Sequence, residues 1–267
     1  MKVSSLLRLA AAVACTAAPL SAVTVVGINF NNNDGAGSQN DGNFGATWTN
    51  VNVGASGSGT AVNGTASAVT LGWASSNYWS AGSWMSSNLG NAFNTPIGMM
   101  RVYLDDGDTP AGGSPSNMNA VGGDGVGAAL SLAGLSSWLA AENATGYTIR
   151  AFFSTDTASA TFRDITVRDG VSVTSPALAT LTPTARGNGQ WDGTSVDTGG
   201  NNTGGTRGDA VFSQVFTQDA ITLSVLSRNG AVRGTLAGVV ITAVPEPGTT
   251  LLAATLVPFF LRRRRAI

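Results

Sequence analysis

The side chains best suited to recognition are concentrated in WASSNYWSAGSW, residues 73–84. Trp73, Tyr78, Trp79 and Trp84 are interspersed there with Asn and Ser. A flat aromatic face can take the C–H side of a sugar ring while nearby amides and hydroxyls take its hydroxyl groups. Small-molecule pockets use the same combination of apolar surface and a few placed polar groups. Trp191, inside GNGQWDG at 187–193, is a candidate fifth aromatic for the same site or a simple lid. The competing reading is structural: tryptophans that pin a loop onto a core.

A second kind of chemistry is offered by clustered side-chain oxygens. Asp105, Asp106 and Asp108 surround Gly107, and Asn31, Asn32, Asn33 and Asp34 precede Asp41. Calcium takes six to eight oxygen ligands, and glycine permits a tight wrap around the ion. Neither stretch matches the twelve-residue EF-hand, because a bidentate Glu is missing at the required spacing. Asp105, Asp106 and Asp108 are therefore a candidate structural calcium site, with solvated turn aspartates as the alternative. No other cofactor is expected.

Catalysis finds less support. The chain has no histidine, and its one cysteine, Cys15, lies near the start. Imidazole-based triads, Cys nucleophiles, disulfides and thiolate or imidazole metal centres are thus excluded from the rest of the chain. Gly-x-Ser-x-Gly is absent as well. A glycosidase would need two carboxylates at a defined separation, one with a raised pKa. Acids are present, including Glu142, but their pairing cannot be read from sequence. No catalytic residues are assigned and the chain is expected not to be an enzyme. The tripeptide Arg207-Gly208-Asp209 resembles an adhesion motif and reads as chance. Asn63, Asn143 and Asn201 start glycosylation triplets that carry little information.

Composition narrows the class further. The 267 residues are 43% hydrophobic and only 11% charged, with 35 glycines; soluble domains usually carry roughly 25% charged residues. Disorder generally combines high net charge with few β-branched residues. Here recurring Val/Ile/Phe runs are separated by Gly/Asn-rich stretches, which suits a β protein with many turns. Between residues 23 and 243 lie eight arginines against thirteen aspartates and one glutamate, a net charge of −6. A surface that acidic does not attract nucleic acid, whose binding rests on basic contacts to phosphate.

The basic residues outside this region sit at the two ends. Lys2 and Arg8 precede an apolar run at 9–18 and small residues up to Ala22. This is the pattern of a secretory signal peptide over 1–22, cleaved after Leu20-Ser21-Ala22; a lipoprotein would instead need Cys15 as its mature first residue. The other end, 244–267, begins with Val244-Pro245-Glu246-Pro247-Gly248, where the prolines cannot continue a central strand. Thirteen uncharged residues follow at 249–261, then Arg262, Arg263, Arg264 and Arg265. As a helix those thirteen cover about 20 Å, short of the roughly 30 Å hydrocarbon core. Pro258 weakens the helix, and the arginines favour the cytoplasmic face. The segment suits a transient stop during export better than a lasting anchor, with an ordinary tail anchor as the alternative.

Taken in order, Pro245-Glu246-Pro247, the short apolar helix and the terminal arginines resemble the PEP-CTERM sorting signal of Gram-negative bacteria. The resemblance covers only the last two dozen or so residues. It implies an exosortase as partner, passing residence in the inner membrane, and release to the cell surface or the extracellular polysaccharide matrix. In that family the Pro-Glu-Pro is recognised as substrate. The short apolar segment and its internal Pro258 depart from the pattern.

Between the ends, 23–243 reads as one β-rich domain. Candidate strands cover 23–30, 46–53, 67–73, 97–104, 127–132, 147–154, 160–167, 209–216, 220–227 and 232–243. YTIRAFF at 147–153 and ITLSV at 221–225 alternate as half-buried strands do. Asp106-Gly107, Asp169-Gly170 and Asn229-Gly230 mark turns. Residues 135–142 form the one credible helix. Many short strands with one small helix predict an all-β, jelly-roll-like β-sandwich. No fixed-period repeat is present. In texture the region is loosely similar to ectodomains of other PEP-CTERM proteins, some of which resemble galactose-binding-like sandwiches. The expected role is a secreted surface or matrix protein, structural or adhesive within extracellular polysaccharide. A carbohydrate-binding module using Trp73, Tyr78, Trp79, Trp84 and Trp191 is the alternative, and a carboxylate-based glycosidase the third.

Overall fold

The computed structural model describes residues 25–31, 47–52, 56–62, 68–75, 77–80, 102–105, 126–155, 161–186, 207–226 and 232–246. In chain order the elements begin with β1 (Val25–Asn31), β2 (Thr47–Asn52), β3 (Ser56–Val62), β4 (Ala68–Ser75), β5 (Asn77–Ser80) and β6 (Val102–Asp105). Then come β7 (Val126–Ala133), helix α1 (Leu135–Ala141), β8 (Ala144–Ser154), β9 (Thr161–Phe162), β10 (Ile165–Asp169) and β11 (Ala177–Leu181). The last are β12 (Thr184–Arg186), β13 (Arg207–Phe216), β14 (Ala220–Leu226), β15 (Val232–Arg233) and β16 (Gly238–Pro245).

Two six-stranded sheets account for most of these. The first runs β12-β13-β8-β16-β1-β2 and the second β11-β10-β14-β7-β4-β3. Every pairing within them is antiparallel except β1 with β2. The alternation expected of two-sided strands decides what lies inside. In β8, Tyr147, Ile149, Ala151 and Phe153 point inward, and β14 answers from the other sheet with Ile221, Leu223 and Val225. Both sets belong to one continuous apolar cluster with Ile28, Leu71, Leu130 and Ile241. The result is an all-β, sandwich-like fold with a single short helix among the described residues.

Helix α1 closes one end of the sandwich. Its start is set by Gly134 at φ 84°, a left-handed conformation that glycine adopts without a Cβ penalty. Glycine has no side chain to cap with, so Asp219 supplies the cap from the neighbouring turn: the N–H groups of Leu135 and Ser136 donate to its carbonyl and to Oδ1. Asn143 at φ 51° ends the helix and turns the chain into β8. Leu135, Trp138 and Leu139 are buried on the core side, while Ser136, Ser137, Ala140 and Ala141 are exposed.

Two expected strands are broken. Residues 160–167 divide into β9 and β10, and 232–243 into β15 and β16. β9 and β15 pair with each other in parallel as a small separate ribbon, and the break is pinned by Arg163 N–H donating to the Arg233 carbonyl at 2.7 Å. From the ribbon the Phe162 ring enters the core against the inner face of the first sheet, 5.5 Å from the ring of Phe153. Gly208 makes that approach possible: a Cβ there would stand 2.7 Å from the Thr184 carbonyl and 2.8 Å from the Phe162 ring. Of the expected strand at 97–104, residues 102–105 are observed as β6 and the rest lie outside the described residues. β3, β5, β11 and β12 are additional strands.

Candidate functional site

Strand directions define two ends, which differ in chemistry. At the helix end lie α1, the turns at 170–176 and 217–219, the start of β1 and the end of β16. At the opposite end, β4 passes directly into β5, which pairs with β6: Asn77 with Asp105, Tyr78 with Leu104, Trp79 with Tyr103 and Ser80 with Val102. β6 in turn packs against β1, β4, β7 and β8.

The hairpin is sewn to the first sheet by a short stretch before β16. Leu104 and Leu236 exchange both backbone hydrogen bonds, at 2.8 and 3.0 Å. Ala237 N–H then donates to the Phe152 carbonyl at 2.8 Å, and Thr235 Oγ1 to that of Ser154 at 2.6 Å. Charge adds a further clamp. Arg233 Nη2 donates to both oxygens of Asp105, at 3.1 and 3.2 Å, with the two side chains only 12% and 10% exposed. A charge-assisted contact held away from water is stronger and more directional than a surface pair. Nearby on the outward face of the first sheet, Asp209 Oδ2 accepts from Arg150 Nε at 2.9 Å and Nη2 at 2.7 Å. The Asp209 side chain is fully buried, and the Arg150 guanidinium carbon lies 5.2 Å from the centre of the Phe152 ring.

β1 leads toward the hairpin end at Asn31, β4 and β5 carry Trp73, Tyr78 and Trp79, β6 ends at Asp105, and β12 leads into 187–193. Strand ends flanking all four candidate stretches therefore share one end of the sandwich. Tyr78 and Trp79 are strand residues. Trp73 is 8% exposed, inward-facing between Gly57 and Leu130, and part of the apolar core. Its face is thus occupied by packing, and its indole N–H has no acceptor among the described residues. Asp105 has its carboxylate engaged by Arg233. Trp84, Trp191, Asp106, Asp108, Asp34, Asp41, Pro247 and Arg262–Arg265 lie outside the described residues. No three His, Cys, Asp or Glu side chains converge among the described residues. The Arg207-Gly208-Asp209 tripeptide is interior strand, with Asp209 2% exposed.

Arg233 and Arg150, the two cations that organise this region, are not singled out by sequence. They lie 128 and 59 positions from their carboxylates, beyond any local spacing rule. At the other end, burial pushes the Tyr147 phenol well above its ordinary pKa, and the carboxylates of Asp169 and Asp219 push it further. Its hydroxyl donates to the Gln218 carbonyl at 3.1 Å, a contact that holds the 217–219 turn.

No protein-family profile, curated protein or solved structure matches this chain significantly. No helix among the described residues is long and apolar enough to cross a membrane.

Proposed function

We propose that the chain is an exported bacterial surface or extracellular-matrix protein, sorted through a PEP-CTERM signal at 244–267 and structural or adhesive within extracellular polysaccharide. The observation that carries the reading is a polarity of the fold. The chain enters β1 at Val25 and leaves β16 at Pro245, both at the helix end, since Val25 pairs with Thr242 and Pro245 with Ala144. The candidate recognition stretches depart from the opposite end. A domain delivered by a signal peptide at 1–22 and held by Pro245, Glu246, Pro247, the apolar run and Arg262–Arg265 would turn its hairpin end outward. Exosortase is the partner this implies, with passing residence in the inner membrane of a Gram-negative bacterium. The repeated passage of the chain between sheets, at β2–β3, β7–β8, β11–β12 and β13–β14, supports a jelly-roll-like winding.

A carbohydrate-binding module is the second reading, favoured by Tyr78 and Trp79 on the outward hairpin. Calcium at Asp105, Asp106 and Asp108 would be structural and would have to compete with the Arg233 clamp. A glycan array probed with the full chain in detergent, with and without calcium, separates the readings. Selective retention of a bacterial exopolysaccharide, lost with Trp79→Ala while the thermal transition is kept, makes the protein a lectin-like module. Equal, weak retention of all glycans leaves the matrix scaffold.

A further inference from the structure

The helix end has a composition suited to lie against a lipid surface. Val171, Val211 and Val215 are the exposed large hydrophobic residues among those described, at 51%, 53% and 50%. Val171 sits in the turn between β10 and β11, and Val215 in β13 just before Phe216; both belong to the helix end. Val211 stands mid-strand opposite Arg150. Among the described residues, the exposed charged side chains at this end are acidic: Asp169, Asp219 and Glu246. Arg168, at the end of β10, is turned onto the second sheet, where Nε donates to Ser224 Oγ and Nη1 to the Ser175 carbonyl.

The departing chain holds this end close to whatever the tail enters. β16 lies between β8 and β1 within the first sheet and remains paired to its last residue. Beyond Pro245, Glu246 N–H still donates to the Asn143 carbonyl at 3.2 Å. Thr145 Oγ1 also donates to the Val244 carbonyl at 3.3 Å. Only Pro247 and Gly248 separate Glu246 from the uncharged run at 249–261, and two extended residues span at most about 7 Å. Two residues leave the domain little room to stand off from the surface that run would enter.

We propose that, while the tail is inserted, the helix end of the domain rests on the bilayer surface, with Val171 and Val215 in the interfacial layer. Zwitterionic phosphatidylethanolamine, whose amine suits Asp169, Asp219 and Glu246, is the lipid this end would take. The inference rests on reading 249–267 as a membrane-inserting tail. Apolar side chains in the headgroup region are a usual device of peripheral contact.

The test uses the full chain with Cys15→Ser, which removes the only thiol. A single environment-sensitive label is then attached at Thr217→Cys on the helix end or at Thr161→Cys in β9, both exposed positions. Vesicles of phosphatidylethanolamine and phosphatidylcholine carry a quencher in the acyl region. Strong quenching at 217 with little at 161, cut severalfold by Val171→Asp with Val215→Asp while the protein still floats with vesicles, is the expected result. Equal quenching at the two positions, or quenching at 217 unchanged by the paired aspartates, overturns the inference and leaves the tail reading intact. Flotation that is absent, or that survives Leu256→Asp in protein already freed of residues 1–22, removes the tail reading and this inference with it.

Discussion

Trp138→Ala is expected to destabilise the domain by about 3–5 kcal/mol, the range for deleting a buried large aromatic side chain. Trp138 is 0% exposed, the largest fully buried side chain among the described residues. It fills the closed end of the sandwich between Leu135, Leu139 and Tyr147, the last with ring centres 6.4 Å apart. Removing it opens a cavity under α1, a helix of seven residues that has little stability of its own. For a domain of this size the midpoint of thermal unfolding falls by about 2–4 °C per kcal/mol. Trp138→Phe should be far milder. The indole Nε1 is buried with no acceptor among the described residues, so phenylalanine loses volume but also removes an unsatisfied donor that costs about 1–3 kcal/mol. Calorimetry on the three proteins checks the order: wild type and Trp138→Phe close together, Trp138→Ala well below.

The second large effect is at Asp209. Asp209→Ala leaves the Arg150 guanidinium at 17% exposure without the carboxylate that takes two of its N–H groups. Removing one member of a buried ion pair costs about 3–5 kcal/mol, because the remaining charge is stranded rather than because the pair itself was worth that much. Partial exposure lets Arg150 reach some water, so the lower end of the range is expected. Asp209→Leu combined with Arg150→Met should recover most of the loss, since apolar residues of similar volume often replace a buried pair at little cost. Urea titration of the single and double variants decides it. If the double variant is as unstable as Asp209→Ala, packing against Phe152 and not charge burial dominates the site.

Much of the sheet framework was legible because apolar and polar residues alternate along its strands, although β14 is buried on both faces, Thr222 and Ser224 included, and not half-buried as expected. YTIRAFF and ITLSV put one apolar residue on every second position, and they became β8 and β14 with those residues inside. The helix at 135–142 is observed as Leu135–Ala141, with Glu142 as its C-cap residue. β3 was hidden for a physical reason. SGSGTAV has the composition of a turn, yet Gly57 and Gly59 stand opposite Trp73 and Leu71, where small residues make room for large ones. Trp73 carried a usable signal of its own: Val69, Leu71 and Trp73 occupy alternate positions and so share one face of a strand, the inward one.

Long-range relations were not legible. Both breaks fall where the apolar alternation changes phase, across Arg163-Asp164 and across Gly234-Thr235, but the parallel pairing of β9 with β15 that uses them joins segments far apart in sequence. The pairing of Asp105 with Arg233 spans 128 positions. Nor does local sequence state which way a strand runs, so the gathering of the candidate stretches at one end emerged only with the sheet order. The position of the tail shows the same limit. Proline chemistry would end the last strand before Val244, whereas β16 runs to Pro245, with the pairing shifting register between Val244 and Pro245.

Fractionation and intact-mass analysis of the full chain, expressed in a bacterium that carries an exosortase, test the proposed export and sorting most directly. The expected product starts near Val23, lacks the apolar run and Arg262–Arg265, and collects in the surface or matrix fraction. With Pro245, Glu246 and Pro247 replaced together by alanine, the tail should stay attached and the protein remain with the inner membrane. An uncut tail in the unmodified chain, or cleavage and location indifferent to the triple substitution, would contradict sorting through this signal.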